Sequence, residues 1–210
     1  MFLPTSCPVC GAHGPAPCAG CAAELRPAPA LPAPAGVDSC AALLTYAGAG
    51  RELVARRKYR NARASVPFLA RGMAAIVPYD VDVVTWAPTT PARLRARGFD
   101  QAKLLARAVA RELGVPCPPL LRRRPGPAQT GQDAVARYSG PGFAGGRGIH
   151  GRRVLLVDDV VTTGATVAAA SWALKEAGAT EVHCVASART PPSRRRVDSE
   201  EAKQRSPSWK

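Results

Sequence analysis

The apolar positions of the chain fall into two periods that alternate. VDVVTWAP, Val81 to Pro88, is a short run rich in β-branched residues that stops at a proline, the pattern of a strand buried on both faces. FDQAKLLARAVARELG changes period: Leu105, Val109 and Leu113 recur every four residues, Leu104 and Ala108 widen the stripe, and Gly114 follows as a helix stop. RRVLLVDDV repeats the strand pattern, ATVAAASWALKEAGA predicts a second helix ending near Gly178, and EVHCVASA a further strand. Strand, helix, strand, helix, strand in this order predicts an α/β domain built on a mostly parallel sheet. Upstream, LLTYAGAG reads as a strand and turn, RELVARRKYR as a basic helical piece, and VPFLARGMAAIV as a helix with Val66, Leu69, Met73 and Ile76 on one face.

Other stretches break the periodicity. AELRPAPALPAPAGVDSC is a Pro/Ala segment expected to be extended. RRRPGPAQTG and SGPGFAGGRGIHG are Gly/Pro-rich, and the second, just before the Val154 strand, is expected to be a mobile flap. TPPSRRRVDSEEAKQRSPSWK mixes both charges with Ser and Pro and has no apolar period. The resulting division is a cysteine knuckle at 1–25, a linker at 26–40, an α/β domain at 41–189 and a disordered tail at 190–210.

Composition adds a strong charge bias. A formal charge of +14, carried mainly by arginine, favours planar, bidentate contacts with phosphate or carboxylate, although a proteome rich in Ala, Arg, Gly and Pro would also write Arg for Lys on its surfaces. No stretch has the basic start and apolar core of a signal peptide, and none approaches the roughly 20 apolar residues of a membrane span. A cytoplasmic protein without membrane insertion is expected. Seven cysteines are an odd number for a disulfide framework. Four of them, Cys7, Cys10, Cys18 and Cys21, form CxxC, seven residues, CxxC, which brings four thiolates within reach of one tetrahedral Zn²⁺, with Gly11 and Gly20 suited to the turns. A redox CxxC is the rival reading and leaves the second pair unexplained. His13 lies between the pairs, but four cysteines already complete a site; Cys40, Cys117 and Cys184 read as small buried apolar residues.

The densest chemistry is VLLVDDVVTTGATV, Val154 to Val167. If VLLV is a buried strand, Asp158 and Asp159 emerge at its carboxyl end, where open α/β sheets bind ligands. Thr162, Thr163, Gly164, Ala165 and Thr166 then form the turn into the next helix, whose N–H groups and dipole suit a phosphate while Gly lets the backbone approach it. Two acids cannot favour the same anion, so they are expected to face a hydroxylated group such as a ribose diol, or Mg²⁺. Helix capping is the bland alternative for the acids. A phosphorelay receiver also has an acid pair after a strand, but needs most of its sheet to follow that pair, and little more than one helix and one strand remain here. In the loop after the Val81 strand, RLRARG gathers arginines, including Arg93 and Arg97, that suit an anion or form a solvated basic loop.

VLLVDDVVTTGAT resembles the phosphoribosyl-pyrophosphate loop of type I phosphoribosyltransferases. The N-terminal cysteine pairs, Lys58-Tyr59 in RRKYRN, WAPTTPARLRARGFDQA, the Gln129 to Arg137 stretch and the acid pair resemble, in order, the ComF family, also called competence-protein-F or GntX-like. That resemblance implies a type I phosphoribosyltransferase-like parallel sheet flanked by helices, with an irregular hood and a small N-terminal zinc knuckle. It implies a Mg²⁺-dependent phosphoribosyltransferase acting on phosphoribosyl pyrophosphate or a nucleotide. Asp158 and Asp159 would contact the ribose hydroxyls, Thr162 to Thr166 the 5′-phosphate, and Arg93 and Arg97 pyrophosphate. Two positions depart from the family. RGFNQA reads RGFDQA, putting the Asp100 carboxylate beside an anion site and predicting weaker pyrophosphate binding, and RYSGPGF keeps Arg137 and Phe143 but has Gly140 where Asn is usual. A different reading, also implied by the family, is an accessory that handles single-stranded DNA with DNA-processing proteins during competence and DNA uptake. It draws on the knuckle, Arg56 to Arg63 and the triple Arg122 to Arg124. Aromatic content of 5% is thin for stacking on single strands.

Overall fold

The computed structural model describes residues 6–55, 64–124 and 142–191. Arg56 to Arg63 with Lys58-Tyr59, Gln129 to Arg137 and Gly140 lie outside the described residues, as does the tail from residue 192.

A four-stranded sheet of β1 (Ser39–Thr45), β2 (Val83–Trp86), β5 (Arg153–Val161) and β6 (Glu181–Arg189) is parallel throughout, in the order β1-β6-β5-β2. Its VLLV run is explained by burial on both faces: Leu155 and Val157 join one apolar cluster, and Val154 and Leu156 the other. The first cluster is capped by α2 (Gly48–Ala55), α3 (Val66–Ala75) and α5 (Gln101–Leu113). The second is closed by α6 (Ala165–Glu176) and by the antiparallel pair β3 (Leu121–Arg123) and β4 (Phe143–Gly145). Two short helices complete the elements, α1 (Ala19–Ala23) and α4 (Pro91–Arg97).

Several expectations change in detail. In α5, Leu105 and Val109 are buried as the period predicts, and Gly114 ends the helix in the left-handed region with φ 70°. Ala108 packs against the core at the margin of the stripe as expected, but Leu104 does not, and Ala102, Ala106 and Ala110 are buried beside Leu105 and Val109, where small side chains let α5 lie close on β2 and β5. Residues 142–151, expected as a flap, instead hold the second core. Phe143 and Ile149 are buried, and a β-carbon on Gly145 would come within 2.6 Å of the Ala173 carbonyl. Only a glycine lets β4 approach α6 so closely.

From Arg26 to Asp38 the Pro/Ala-rich segment contains no helix or named strand, yet it is fastened along its length. Thr45 donates to the carbonyls of Arg26 and Pro27, the Arg189 guanidinium to those of Leu31 and Pro32, and the Ser171 hydroxyl to that of Gly36. Through these bonds it crosses the carboxyl ends of β1 and β6 and then descends beside α6. No helix among the described residues is long and apolar enough to cross a membrane.

Candidate functional site

The unequal lengths of neighbouring strands open the site. β2 pairs with β5 only from Val154 to Val157, whereas β5 continues beside β6 to Val161. Asp158 and Asp159 therefore sit within the extended end of β5, where β2 no longer covers its edge. The sequence pattern places them past a strand ending at Val157. The longer ladder carries them instead, and the turn shortens to Thr162–Gly164, with Ala165 and Thr166 already in the first turn of α6.

Each acid turns one oxygen back to the backbone. Asp158 Oδ1 accepts the Asp159 N–H at 2.8 Å, and Asp159 Oδ1 accepts the Val160 N–H at 2.9 Å. Ser187 donates its hydroxyl to the Asp159 carbonyl, tying this end of β5 to β6. Among the described residues no basic side chain forms an ion pair with either acid. Burial, and then the adjacent Asp159 charge, push the Asp158 carboxyl well above the ordinary range. A pair in this state gains from hydroxyl donors or a cation placed against it.

At the start of α6, Gly164 occupies the cap with φ 78° and supplies no side-chain hydrogen bond. The Ala165 N–H meets the Thr163 hydroxyl at 3.4 Å, and the intrahelical ladder begins with the Ala168 N–H on the Gly164 carbonyl at 2.8 Å. A helix start without a side-chain cap leaves first-turn N–H groups aimed outward with the positive end of the dipole, which suits an anion. Thr162 and Thr163 are exposed beside it, and Thr166 is half-buried.

The arginine region differs from its reading as a loop. Pro91–Arg97 forms helix α4, started by the Thr90 hydroxyl accepting the Arg93 N–H and stopped at Gly98, φ 74°. It buries no residue of its own, so apolar periodicity could not reveal it. Arg93 is exposed, while Arg97 is half-buried and donates to Gln101 Oε1 at 3.3 Å. Asp100 caps α5. Its Oδ1 accepts the Lys103 N–H at 3.3 Å and its Oδ2 the Thr89 N–H at 3.1 Å, so both oxygens are engaged by backbone donors. Because Trp86 pairs with Val157, the chain leaves β2 toward α4 at the same end of the sheet as the acids. Arg123, read only as part of a basic triple, comes to this edge as well. It donates to the Pro88 carbonyl at 3.3 Å and lies 5.4 Å from the Phe143 ring centre, and burial and nearby Arg93 lower its pKa. Its signal in the sequence was weak, because the ring that places it lies about 20 positions away.

The cysteine knuckle is a separate centre. The sulfurs of Cys7, Cys10, Cys18 and Cys21 all lie within 4.8 Å of one another, and those of Cys10 and Cys18 are 3.7 Å apart. Tetrahedral Zn²⁺ with sulfur bonds of about 2.3 Å needs sulfur separations of ~3.8 Å, so the donor set fits zinc. Burial opposes ionisation of Cys7, but N–H groups of Cys10, Cys18 and Val9 outweigh it and bring its thiol down to about 6. Burial and then the three neighbouring sulfurs push Cys21 up, a penalty that a shared divalent cation removes. Gly11 makes its turn at φ 81°, whereas Gly20 is an ordinary helical residue of α1 and not a turn glycine. His13 is exposed and stands outside the cluster.

A family model described as a phosphoribosyl transferase domain matches residues 100–209, just over half of the chain, including β5, both acids and the loop into α6. Over 117 residues the chain is 37% identical to an adenine phosphoribosyltransferase from Parafrankia sp. (strain EAN1pec). The match takes in 53% of each chain, so this protein spans about half the length of that curated relative. Among solved structures it is similar to a glutamine phosphoribosylpyrophosphate (PRPP) amidotransferase from B. subtilis complexed with ADP and GMP, at 28% identity and a TM-score of 0.46, over 60% of this chain and 27% of that one. It is also similar to a purine phosphoribosyltransferase from Pyrococcus horikoshii Ot3, at 19% identity and a TM-score of 0.39, over 60% of this chain and 83% of that one. Through the match over residues 100–209, the chain belongs to the phosphoribosyl transferase domain family.

Proposed function

We propose that the protein binds phosphoribosyl pyrophosphate and transfers its phosphoribosyl group to a base or an amine, as a ComF-type member of the family. One observation carries this reading: an acid pair in the uncovered end of β5 is followed directly by a helix start with a glycine cap. One ligand with two unlike ends satisfies both. Thr162, Thr163, Gly164, Ala165 and Thr166 hold the 5′-phosphate through backbone N–H and hydroxyl donors. Asp158 and Asp159 accept hydrogen bonds from the ribose hydroxyls, and Arg93 and Arg97 hold pyrophosphate. As the bond to pyrophosphate breaks, positive charge grows on the ribose, and the two carboxylates stabilise it while the loop keeps the sugar in place. Mg²⁺ bound with the ligand would supply charge neutralisation for its pyrophosphate. The four-cysteine set holds structural zinc, consistent with the knuckle of the ComF pattern.

The test is calorimetric titration of the zinc-loaded protein with phosphoribosyl pyrophosphate and Mg²⁺, paired with hydrogen exchange. Saturable heat with slowed exchange at Thr162–Val167 is the expected result. No heat and no protection there would sink the proposal. A DNA-handling role draws separate support from exposed Arg122 and Arg124, which flank Arg123 on β3. It requires oligonucleotide affinity that falls steeply with salt; weak or salt-insensitive binding counts against it.

A further inference from the structure

Beneath the acid pair lies a second reactive group that the proposed transfer does not use. Cys40 of β1 and Cys184 of β6 are register partners, and Leu156 of β5 is the partner of Cys184 on the other side. Partners in a parallel sheet point to the same face, here the one covered by α6. The next rung on that face, two residues toward the carboxyl end, is Ala42, Ala186 and Asp158. The thiols therefore sit one rung, about 7 Å along the strands, below the Asp158 carboxyl. Adjacent strands stand about 4.8 Å apart, inside the Cα separation of about 4.4–6.8 Å that a disulfide spans. Cys184 is buried, whereas Cys40 is partly exposed on the outer strand of the sheet.

We propose that Cys40 and Cys184 form an oxidisable dithiol, a modification site that passes redox state to the ligand-facing acid Asp158. The neighbouring Cys184 thiol holds the Cys40 thiol below its ordinary range, and Cys40 and then burial push Cys184 well above its own. Arg189, at the far end of β6, adds to the lowering at Cys40. Cys40, partly exposed on the outer strand, is the thiol an oxidant reaches, and the buried Cys184 is the one placed to resolve it. With a hydroperoxide as oxidant, the Cys40 thiolate takes one peroxide oxygen to become a sulfenic acid, and the O–O bond breaks. The other oxygen leaves as water or an alcohol after protonation. Cys184 then loses its proton and attacks the Cys40 sulfur; the S–S bond forms and the sulfenic oxygen departs as water. Two electrons pass from the thiol pair to the peroxide. A thiolate at Cys40 adds to the influences that raise Asp158, after burial and Asp159, and the disulfide can carry no such charge.

The experiment treats the full zinc-loaded chain with hydrogen peroxide and maps its peptides without reduction, alongside a chromogenic assay for released zinc. A Cys40–Cys184 crosslink formed with zinc retained is the expected result. Cys184→Ser should stop at a Cys40 sulfenic acid that dimedone traps. Persistent alkylation of both thiols, or oxidation confined to the knuckle with loss of zinc, overturns the proposal. Coupling to Asp158 is read by carboxyl ¹³C NMR titration, which needs no ligand and so is independent of the phosphoribosyl reading. Oxidation and Cys40→Ser should both move the Asp158 transition to lower pH; the same transition in crosslinked and reduced protein overturns the coupling. A protein that forms the crosslink but binds no phosphoribosyl pyrophosphate refutes the proposed function and leaves the dithiol standing.

Discussion

Pro34 rests against Gly164: a β-carbon on Gly164 would come within 2.7 Å of Pro34 Cγ. The Pro/Ala-rich segment thus touches the backbone at the start of α6, where the phosphate of the proposed ligand would bind. Gly164→Ala must place a side chain at φ 78° and also displace Pro34. The first effect alone costs about 1–2 kcal/mol. We expect a lower urea midpoint and weaker binding of ribose 5-phosphate by calorimetry. Adding Pro34→Ala should recover only part of the loss, since it relieves the contact and leaves the backbone strain. A Gly164→Ala protein as stable as the parent would remove both arguments.

What could be read from the sequence tracks how local each determinant is. The VLLV strand was legible because burial on both faces writes an uninterrupted apolar run, and the acids and the Thr/Gly turn follow it in covalent order. Helix α4 was not, because its signals are a Thr90 cap and a Gly98 stop around a helix that buries nothing. The stripe of α5 is incomplete in the sequence because alanine looks like filler there, while in the fold Ala102, Ala106 and Ala110 set how closely α5 lies on the sheet. Arg123 on Phe143 and Pro34 on Gly164 are contacts between distant segments, which no periodicity encodes.

Asp100 is explained by the fold and not by the anion. An aspartate can accept from Thr89 and Lys103 with its two oxygens, whereas an asparagine would turn its NH₂ toward one of these donors. Asp100→Asn is therefore expected to lose roughly 1 kcal/mol, visible as a lower denaturant midpoint. Phosphoribosyl pyrophosphate affinity should not rise in this variant, because the carboxylate is already engaged by the backbone. A clear gain in affinity would restore the view that Asp100 opposes the ligand.

Asp38 secures the far end of the same Pro/Ala-rich segment. Burial opposes its ionisation, but the Lys175 ammonium at 2.8 Å and the Val182 N–H at 2.6 Å outweigh it and hold its pKa below the usual carboxylate value. A carboxyl depressed in the folded state stabilises the protein above the unfolded pKa of about 3.9 and loses that contribution as pH falls through its folded value. Acidification below about pH 4 should therefore loosen the segment, seen as faster hydrogen exchange at Val37 and Val182. Asp38→Asn should show that faster exchange already at neutral pH. An exchange rate indifferent to both changes would mean that the segment is held elsewhere.

Removal of the metal should separate the knuckle from the α/β domain. Its four sulfurs crowd one another, and the ion that fits them is what makes that arrangement favourable. A strong chelator is expected to extract one zinc per chain and to expose Cys7 and Cys21 to alkylation, both of which are otherwise buried. Sheet circular dichroism should persist, since the two apolar clusters are built almost wholly from residues beyond the knuckle. Collapse of the whole signal on chelation would show that the domain depends on the knuckle to fold.

Asp158 tests whether the site costs the protein stability. Its carboxyl is raised in the folded state, by burial first and by Asp159 next, so the folded protein binds its proton more tightly than the unfolded chain does. Between the unfolded pKa of about 3.9 and the raised folded value, stability must therefore fall as pH rises, opposite in sign to the effect of Asp38. Asp158→Asn keeps the shape and removes the charge. At pH 7 it should raise the melting temperature, flatten this part of the pH profile, and weaken phosphoribosyl pyrophosphate binding, because an amide accepts less strongly from a diol. Such opposed changes in stability and affinity belong to a residue retained for its ligand. If Asp158→Asn instead lowers stability at pH 7 and leaves affinity intact, the carboxylate serves to hold the Asp159 N–H at the end of β5 and the ligand must be held elsewhere.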